Sequence, residues 1–251
     1  LSTQRLCFCF CVLLTILDNA LVVYRIFLLF RLHSGENAND CITQKRLHKA
    51  GQLFYNGSNK DLGQLTVFIA ELTSEHFAAV VTLANRIHGD NYLDNASLQS
   101  MHYQGVKNGI NASFVAVDNA GDIIGYRLSF AAGQWQSDDW CSQELWPVSP
   151  DRMAYFKSVG VAVAARGQGV ASALLRQSVL ALKQQGALAG LAHIWRESPG
   201  NAAQRYFSQA GATLLKVHPD KWRHLSESAG YHCPVCGALC RCSAAEMALV
   251  F

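Results

Sequence analysis

The apolar and polar residues of the chain follow regular local patterns from about residue 65 onward. The first segment, LTVFIAEL (65–72), alternates and is rich in β-branched residues, which predicts a strand. Residues 74–87 instead repeat their apolar side chains with a helical period. The residues on the apolar face of this helix are Phe77, Val80, Val81, Ala84 and Ile87. NASLQSMHYQG (95–105) predicts a second, short helix.

The patterns that follow predict a mixed α/β domain. Two strands around an Asn-Ala-Gly turn form a hairpin over 112–130. Further strands are expected at 155–163, 187–195 and 212–217. Helices lie between these strands, and the longest of them, 167–186, ends at Gly186. The order from residue 65 is β-α-α-β-β-β-α-β-α-β, with AAEMALVF (244–251) as a candidate final strand. This order is not the regular alternation of a doubly wound parallel sheet.

The segment before residue 65 is expected to lie outside the fold, as a hydrophobic leader (6–30) followed by a polar linker (33–63). The leader is long enough to span a bilayer, but charged and amide side chains interrupt it. These residues are Asp18, Asn19 and Arg25. The expected organisation is a leader and linker over 1–64 followed by one domain over 65–251. The expected location of the protein is the cytoplasm, and membrane contact through 6–30 stays open.

Charge adds little to this picture. The net charge of +3 over 251 residues is small, so no nucleic-acid partner is expected. Half of the residues are hydrophobic, which is enough for a sizeable core. The sequence does not indicate an oligomeric state.

Candidate chemistry begins at residues 159–176, which read VGVAVAARGQGVASALLR. A strand meets a helix here across Arg-Gly-Gln-Gly. A helix N-terminus offers free backbone N–H groups and the positive end of its dipole. Gly167 and Gly169 permit close approach and a concave backbone, which suits a phosphate group. No lysine follows Gly169 as in a Walker loop, and Ser172 replaces the third glycine of a dinucleotide loop.

The segment VAVAARGQGVASALL resembles the acetyl-CoA-binding segment of the GNAT N-acetyltransferase superfamily, whose pattern is Arg/Gln-x-x-Gly-x-Gly/Ala after a strand. The resemblance covers roughly residues 65–224. It implies a mixed, mostly antiparallel sheet flanked by helices, with one splayed strand pair that receives acetyl-CoA. It also implies transfer of the acetyl group to a primary amine, of a small molecule or a peptide, by direct attack in a ternary complex.

The resemblance assigns cofactor-binding roles to residues of this sequence. The loop residues whose amides would hold the pyrophosphate are Arg166, Gly167, Gln168, Gly169, Val170 and Ala171. Backbone groups of Val161 and Val163 would contact the pantetheine arm. Asn201, near the start of the following helix, would contact the same arm.

The catalytic residues are less well marked. Many family members carry a tyrosine general acid four residues before the glycine that ends this helix, where Phe207 stands here. The adjacent Tyr206 is therefore the candidate acid. A lysine-like acceptor has a pKa of about 10.4, so it needs a base or a desolvating pocket. Strand residues 155–158 offer no carboxylate, and the base candidates are Glu197, Asp90 and His193. An inactive CoA-binding module therefore remains an alternative.

A cysteine cluster lies near the end of the chain, in a loop at 231–243. CPVCGALCRC contains Cys233, Cys236, Cys240 and Cys242 with the spacing C-x2-C-x3-C-x-C. CPxCG is a common zinc knuckle, and close cysteines in a reducing compartment favour structural zinc. His224 and His232 are spare ligands. Free thiols, a redox pair, a site shared between chains and a zinc-knuckle binding protein remain alternatives.

Overall fold

The computed structural model describes residues 66–251 and the backbone of three earlier strands, Cys9–Leu17 (β1), Ala20–Leu28 (β2) and Leu53–Asn56 (β3). β1 and β2 pair antiparallel within a compact unit that covers residues 1–50. The described residues of the apolar segment 6–30 therefore form strands, and membrane contact through 6–30 stays a prediction. Among the described helices, none is long and apolar enough to cross a membrane.

The second unit, Gly51–Phe251, is built on an eight-stranded sheet. Its strands after β3 are Thr66–Glu71 (β4), Phe114–Val117 (β7), Ile123–Phe130 (β8), Met153–Val161 (β9), Ala189–Trp195 (β10), Thr213–His218 (β11) and Ala244–Val250 (β12). The order across the sheet is β11-β12-β10-β9-β8-β7-β4-β3. Only the β9–β10 pair is parallel among these strands, which confirms the mixed, mostly antiparallel sheet.

Two features of the sheet differ from the expected segmentation. β3 belongs to the expected linker, yet it pairs with β4 and extends the sheet edge. The division between 1–64 and 65–251 otherwise stays a prediction, because most of 1–64 lies outside the described residues. A short hairpin of Val106–Lys107 (β5) and Ile110–Asn111 (β6) was not expected, since two-residue strands leave no period to read.

The helices pack on both faces of the sheet. They are Phe77–His88 (α1), Asn95–Gly105 (α2), Val170–Gln184 (α3), Ala202–Gln209 (α4) and Arg223–Ser228 (α5). On β8, Tyr126 and Leu128 join the core under α1 and α2, whereas Ser129 contacts Ser178 of α3. Because successive strand side chains point to opposite faces, α1 and α2 cover one face and α3 the other. Phe207 of α4 lies in the same core as α3.

The β9–β10 pair separates soon after it forms. Its parallel register covers only Met153–Tyr155 against Ala189–Leu191. β9 then continues along β8 to Val161, and β10 continues along β12 to Trp195. Each strand thus keeps its outer partner while the two diverge, which gives the predicted splayed pair in the middle of the sheet.

A β-bulge marks β9 at the start of this gap. Leu128 of β8 faces Ser158 and Ser129 faces Phe156, so Lys157 has no partner on β8. A bulge inserts one residue, bends the strand and changes the direction of the following side chains. Phe156 accordingly faces α3 and α4, and Ser158 faces the opposite side, where it accepts a hydrogen bond from the Tyr92 hydroxyl.

Gly190 controls the packing of β10 against β9. A Cβ atom at this position would lie 2.3 Å from the Phe156 ring. We expect Gly190→Ala to lower the free energy of unfolding by about 1–3 kcal/mol through overpacking, measured by urea denaturation. Phe156→Leu in the Gly190→Ala background should recover part of this loss. Equal losses with and without the second change would contradict the steric cause.

Candidate active site

The loop between β9 and α3 forms a concave turn of backbone. Gly167 and Gly169 adopt φ of 75° and 78°, in the left-handed region that glycine favours. Gly169 caps α3, and its carbonyl accepts the first helical hydrogen bond, from the Ala173 N–H at 3.0 Å. The amides of the first turn of α3 have no acceptor within the helix. A Cβ atom on Gly167 would meet no neighbour within 4 Å, so this side of the turn is open.

Side chains of the loop hold its shape. Arg166 donates through Nε to the Val161 carbonyl at 3.1 Å, and Gln168 donates through Nε2 to the Ala164 carbonyl at 2.9 Å. The Arg166 amide bonds to the Val163 carbonyl at 3.2 Å. The Arg166 amide is therefore engaged within the loop, unlike the free amide expected there, and the exposed guanidinium lies over the end of β9.

Val163 is not part of an extended strand. The last sheet hydrogen bond runs from the Ala162 amide to the Ile124 carbonyl, at 2.8 Å. The chain then turns into a 3-10 segment, Val163–Ala165, and the Val163 side chain is 73% exposed. The expected extended backbone at Val163 is therefore wrong, because the chain leaves the sheet one residue earlier. Val161 is the last residue of β9 and pairs with Gly125.

Asn201 lies at the start of α4, as expected. It occupies the N-cap position with φ of 51° and is exposed. Its backbone N–H bonds to the Ser198 carbonyl at 2.6 Å, and its side-chain amide donates to Gln204 at 3.5 Å. The side chain does not cap the helix and stays accessible from solvent.

Tyr206 and Phe207 have different environments on α4. Phe207 is fully buried against Phe156, with ring centroids 5.6 Å apart. The Tyr206 hydroxyl instead accepts a hydrogen bond from Nη2 of Arg127. Burial raises the pKa of Tyr206, and the charge and hydrogen bond of Arg127 lower it only in part. Tyr206 therefore keeps its phenolic proton at neutral pH.

Arg127 is a buried cation that the sequence analysis missed. It is 2% exposed on β8, its guanidinium lies 5.1 Å from the Phe156 ring, and Nε has no hydrogen-bond partner among the described residues. The one signal in the sequence is an arginine within the apolar strand IIGYRLSF. Arg127, Phe156 and Tyr206 lie on one face of the sheet, beside the point where β9 and β10 separate.

Two base candidates are held in structural contacts. Glu197 follows β10 and accepts a hydrogen bond from the Ser243 amide at 2.9 Å, which links the end of β10 to the start of β12. Nε2 of His193 is 2.7 Å from the Trp140 carbonyl, and Nδ1 is 3.0 Å from the Tyr155 hydroxyl. Because a carbonyl oxygen only accepts, Nε2 carries the hydrogen and Nδ1 accepts from Tyr155.

His193 therefore has no free nitrogen for an incoming proton. Burial, together with the nearby charge of Lys221, lowers the pKa of His193 to about 4, so the ring is neutral at pH 7. The third candidate, Asp90, is exposed in the turn between α1 and α2. The structure brings neither Asp90 nor Glu197 into a hydrogen bond with Tyr206.

A buried polar cluster fixes the long loop 131–152 onto the sheet. Glu246 of β12 is fully buried. One of its oxygens accepts from the Ser142 amide at 2.9 Å and from the Trp146 indole at 3.1 Å, and the other contacts His218 at 2.9 Å. Side-chain atoms of His193, His218 and Glu246 lie within 4.8 Å of one another. The contacts described satisfy these atoms without a cation.

Two lysines interact with Asp138 of this loop. Lys221 is 3.6 Å from Asp138 and lies over the Trp140 ring at 5.2 Å. Burial lowers the pKa of Lys221, and Asp138 raises it only in part. Desolvation also lowers the pKa of Lys157, at the bulge of β9, and the charge of Asp138 raises it only in part. One carboxylate thus faces two ammonium groups.

The four clustered cysteines come together as the spacing predicts. Their sulfur atoms all lie within 4.8 Å of one another, between α5 and β12. This places the cluster in the connection between the last two strands. His224 and His232 are not part of the group of described side chains within ligand distance.

Comparison with known proteins agrees with this geometry. The family model of the acetyltransferase (GNAT) family matches residues 77–212, more than half of the chain. No curated protein matches significantly by sequence.

Solved structures with the same fold include three proteins from different organisms. One is yncA from Salmonella typhimurium, described as an acetyltransferase and solved with its cofactor acetyl-CoA (19% identity, 73% of this chain and 93% of that chain, TM-score 0.53). An N-acetyltransferase from Staphylococcus aureus Mu50 has 16% identity over 73% of this chain and 98% of that chain, with a TM-score of 0.53.

Naa20 from Chaetomium thermophilum, in complex with a bisubstrate analogue, has 16% identity over 73% of this chain and 86% of that chain, with a TM-score of 0.53. At these identities the structural likeness shows the fold, while the family model covers the double-glycine loop, the splayed strands and Tyr206. The chain belongs to the acetyltransferase (GNAT) family, whose enzymes use acetyl-CoA as cosubstrate.

Proposed function

We propose that the chain transfers the acetyl group of acetyl-CoA directly to a primary amine while both substrates are bound. The observation that carries this proposal is the parallel β9–β10 pair, which separates after three paired residues. The double-glycine turn and the open N-terminus of α3 follow β9 after the short 3-10 segment Val163–Ala165. Backbone groups in the gap and amides at the helix end together suit an extended molecule with a pyrophosphate at one end.

The residues for acetyl-CoA follow from this placement. Amides from Gly167 to Ala171 would hold the pyrophosphate, and Arg166 supplies a positive charge beside them. The end of β9 at Val161 and the exposed Asn201 would contact the pantetheine arm. A groove of about 450 Å³ between α3 and α4 is lined by both Ser172, in the first turn of α3, and Tyr206. This groove supports cosubstrate binding on that face.

The reaction forms a bond between the amine nitrogen and the thioester carbonyl carbon, and breaks the bond from that carbon to sulfur. The amine loses a proton, and the departing thiolate gains one. Arg127 can only donate hydrogen bonds, so the Tyr206 oxygen accepts, and its own hydrogen has no acceptor among the described residues. We assign Tyr206 as the proton donor to the thiolate, with Arg127 as the residue that positions it.

The acceptor must lose its proton before it attacks. Glu197 remains the candidate base, through the carboxylate oxygen that does not bind Ser243. Lys157 and Lys221 would also help the acceptor to lose its proton, because nearby positive charges lower the pKa of an incoming ammonium group. They also favour an acceptor amine that carries an anionic group, such as an amino acid or an acidic peptide. The free thiols of the described cysteines support a cytoplasmic location.

The glycine turn gives a direct test of cosubstrate binding. We expect Gly167→Ala to weaken acetyl-CoA binding by about tenfold or more. The added methyl group fills the open side of the turn, and alanine disfavours the left-handed backbone conformation that residue 167 adopts. Gly109→Ala is the matched control, since Gly109 also has φ of 75° and open space at Cβ. Both variants should lose similar stability, and isothermal titration calorimetry should show weaker binding only for Gly167→Ala. Equal acetyl-CoA affinities for the two variants would contradict the assignment of this turn as the pyrophosphate site.

The activity itself is tested with the full chain. Acetyl-CoA should raise the melting temperature, and thiol release should follow addition of an amine from a panel of small amines, amino acids and peptides. Faster release with anionic acceptors than with their amidated counterparts would support the lysine assignment. A thermal shift without turnover on any amine would favour an inactive CoA-binding module. No thermal shift would overturn the proposal.

A further inference from the structure

The four cysteines of the C-terminal loop have the geometry of a closed metal site. Cys242 lies 3.7 Å from Cys233 and 3.4 Å from Cys236, sulfur to sulfur. A disulfide needs about 2.05 Å between its sulfurs, so these are free thiols. Four sulfurs arranged tetrahedrally at a Zn–S distance of about 2.3 Å lie roughly 3.8 Å apart. The two distances from Cys242 are close to this separation, and all four sulfurs lie within 4.8 Å of one another.

The backbone of the loop supports charged sulfurs. Cys233 and Gly237 exchange backbone hydrogen bonds of 3.0 and 2.9 Å, and Gly237 completes the turn with φ of 80°. The Cys236 amide points at the Cys233 sulfur, and the Arg241 amide points at the Cys236 sulfur, both at 3.4 Å. Amide donors aimed at sulfur stabilise thiolates, and such outer contacts orient metal ligands.

Burial separates this site from a reactive or redox pair. Three of the four, Cys233, Cys240 and Cys242, are buried and pack with Trp195, Trp222 and Tyr231, while Cys236 is exposed. Four protein ligands leave no open coordination position, which is typical of structural rather than catalytic zinc. Apart from the Cys233–Gly237 bridge, residues 231–243 contain no helix or strand, so metal ligation would supply much of their order.

The loop also contacts the end of α1. The Tyr231 hydroxyl donates to the His88 carbonyl at 2.8 Å. The backbone carbonyl of His232 lies so close to Gly89 that a Cβ there would be 2.1 Å away. On the other side, the Cys240 amide bonds to the Ser226 hydroxyl of α5 at 3.1 Å. The cysteine loop thus joins α5 to the turn that follows α1.

We propose that Cys233, Cys236, Cys240 and Cys242 bind one structural Zn²⁺ as thiolates, and that this zinc clamps the β11–β12 connection onto the end of α1. Binding replaces the thiol protons, which pass to solvent, and changes no oxidation state. The site is separate from the acetyl-CoA cradle at the N-terminus of α3. The zinc proposal does not depend on whether the chain acetylates an amine.

Metal analysis of the purified full chain tests the ligands. We expect about one zinc per chain, and a tetrahedral thiolate Co²⁺ spectrum after exchange. Cys240→Ser should lose most of the metal, whereas Cys141→Ser, a cysteine outside the cluster, should keep it. If Cys240→Ser fails to fold, the Co²⁺ spectrum of the unaltered chain decides. Absence of stoichiometric zinc and of the Co²⁺ spectrum would overturn the site.

Hydrogen exchange tests the clamp separately. Chelation should speed amide exchange in residues 231–243 and also around Gly89, at the end of α1. Tyr231→Phe should keep the zinc but speed exchange around Gly89 alone. Faster exchange confined to 231–243 after chelation would overturn the clamp while leaving the metal site. Thermal shift by acetyl-CoA, measured on the same samples, reports the proposed function independently.

Discussion

Replacing Glu246 with alanine should lower the free energy of unfolding by about 3–5 kcal/mol, because it leaves buried donors without their acceptor. Glu246 is fully buried and accepts from the Ser142 amide, the Trp146 indole and His218. Two of these donors belong to loop 131–152, so the variant should also release that loop from the sheet. Urea denaturation measures the first effect and hydrogen exchange of the loop measures the second.

Controls for this prediction come from the same loop and from the His218–Glu246 contact. Glu144→Ala removes an exposed carboxylate and should change stability by less than about 0.5 kcal/mol. His218→Ala and Glu246→Ala should be strongly non-additive, since they remove one shared contact. If Glu246→Ala lowers the free energy of unfolding by less than about 1 kcal/mol, water must replace the carboxylate as acceptor. That result would contradict the prediction that the buried donors are left without a partner.

The same residue predicts a pH dependence of stability. Burial raises the pKa of Glu246, but hydrogen bonds from His218, Ser142 and Trp146 outweigh it and hold the pKa below the usual 4.5. A carboxyl with a lowered folded-state pKa stabilises the fold above its unfolded pKa and loses this contribution as pH falls through the folded value. The unaltered chain should therefore lose stability below pH 4.5 more steeply than Glu246→Ala. Parallel curves for the two proteins would contradict this.

Local sequence patterns were sufficient to place several of the helices and strands. α2 was predicted with its observed bounds, Asn95–Gly105, and the final strand β12 is present. The helix expected over 167–186 is present as α3, but it begins at Val170 and ends at Gln184, because Gly167 and Gly169 adopt left-handed φ values that end a helix. α5 was missed, because its six residues make fewer than two helical turns and are too few to show a helical repeat of apolar residues.

The polar interior could not be read from the sequence, because its partners are distant along the chain. Glu246 contacts Ser142 and His218, which lie in different elements, and nothing local marks their pairing. Arg127 of β8 likewise donates a hydrogen bond to Tyr206 of α4, which lies 79 residues further along the chain. His193 looked like a base because a lone histidine on a strand has no visible partner, whereas the fold occupies both of its nitrogens. Long-range hydrogen bonds thus decide which titratable residues are free to act.

Tyr206→Phe should reduce kcat by about 100-fold or more, with little change in acetyl-CoA affinity, if Tyr206 gives its proton to the thiolate. The hydroxyl accepts from Arg127, so its hydrogen is available, and the raised pKa keeps it protonated. Steady-state kinetics and calorimetry separate the two quantities. Tyr103→Phe removes the same atom from an exposed tyrosine on α2 and should leave both unchanged.

A purely structural Tyr206 gives a different result, because losing the hydroxyl would then reduce stability and leave kcat within a few-fold. The neighbouring position sharpens this distinction. Phe207→Tyr in the Tyr206→Phe background restores a hydroxyl where many family members carry one, but Phe207 faces the core against Phe156. We therefore expect no recovery of kcat from the double variant. Recovery would mean that α4 places residue 207, and not 206, toward the gap between β9 and β10.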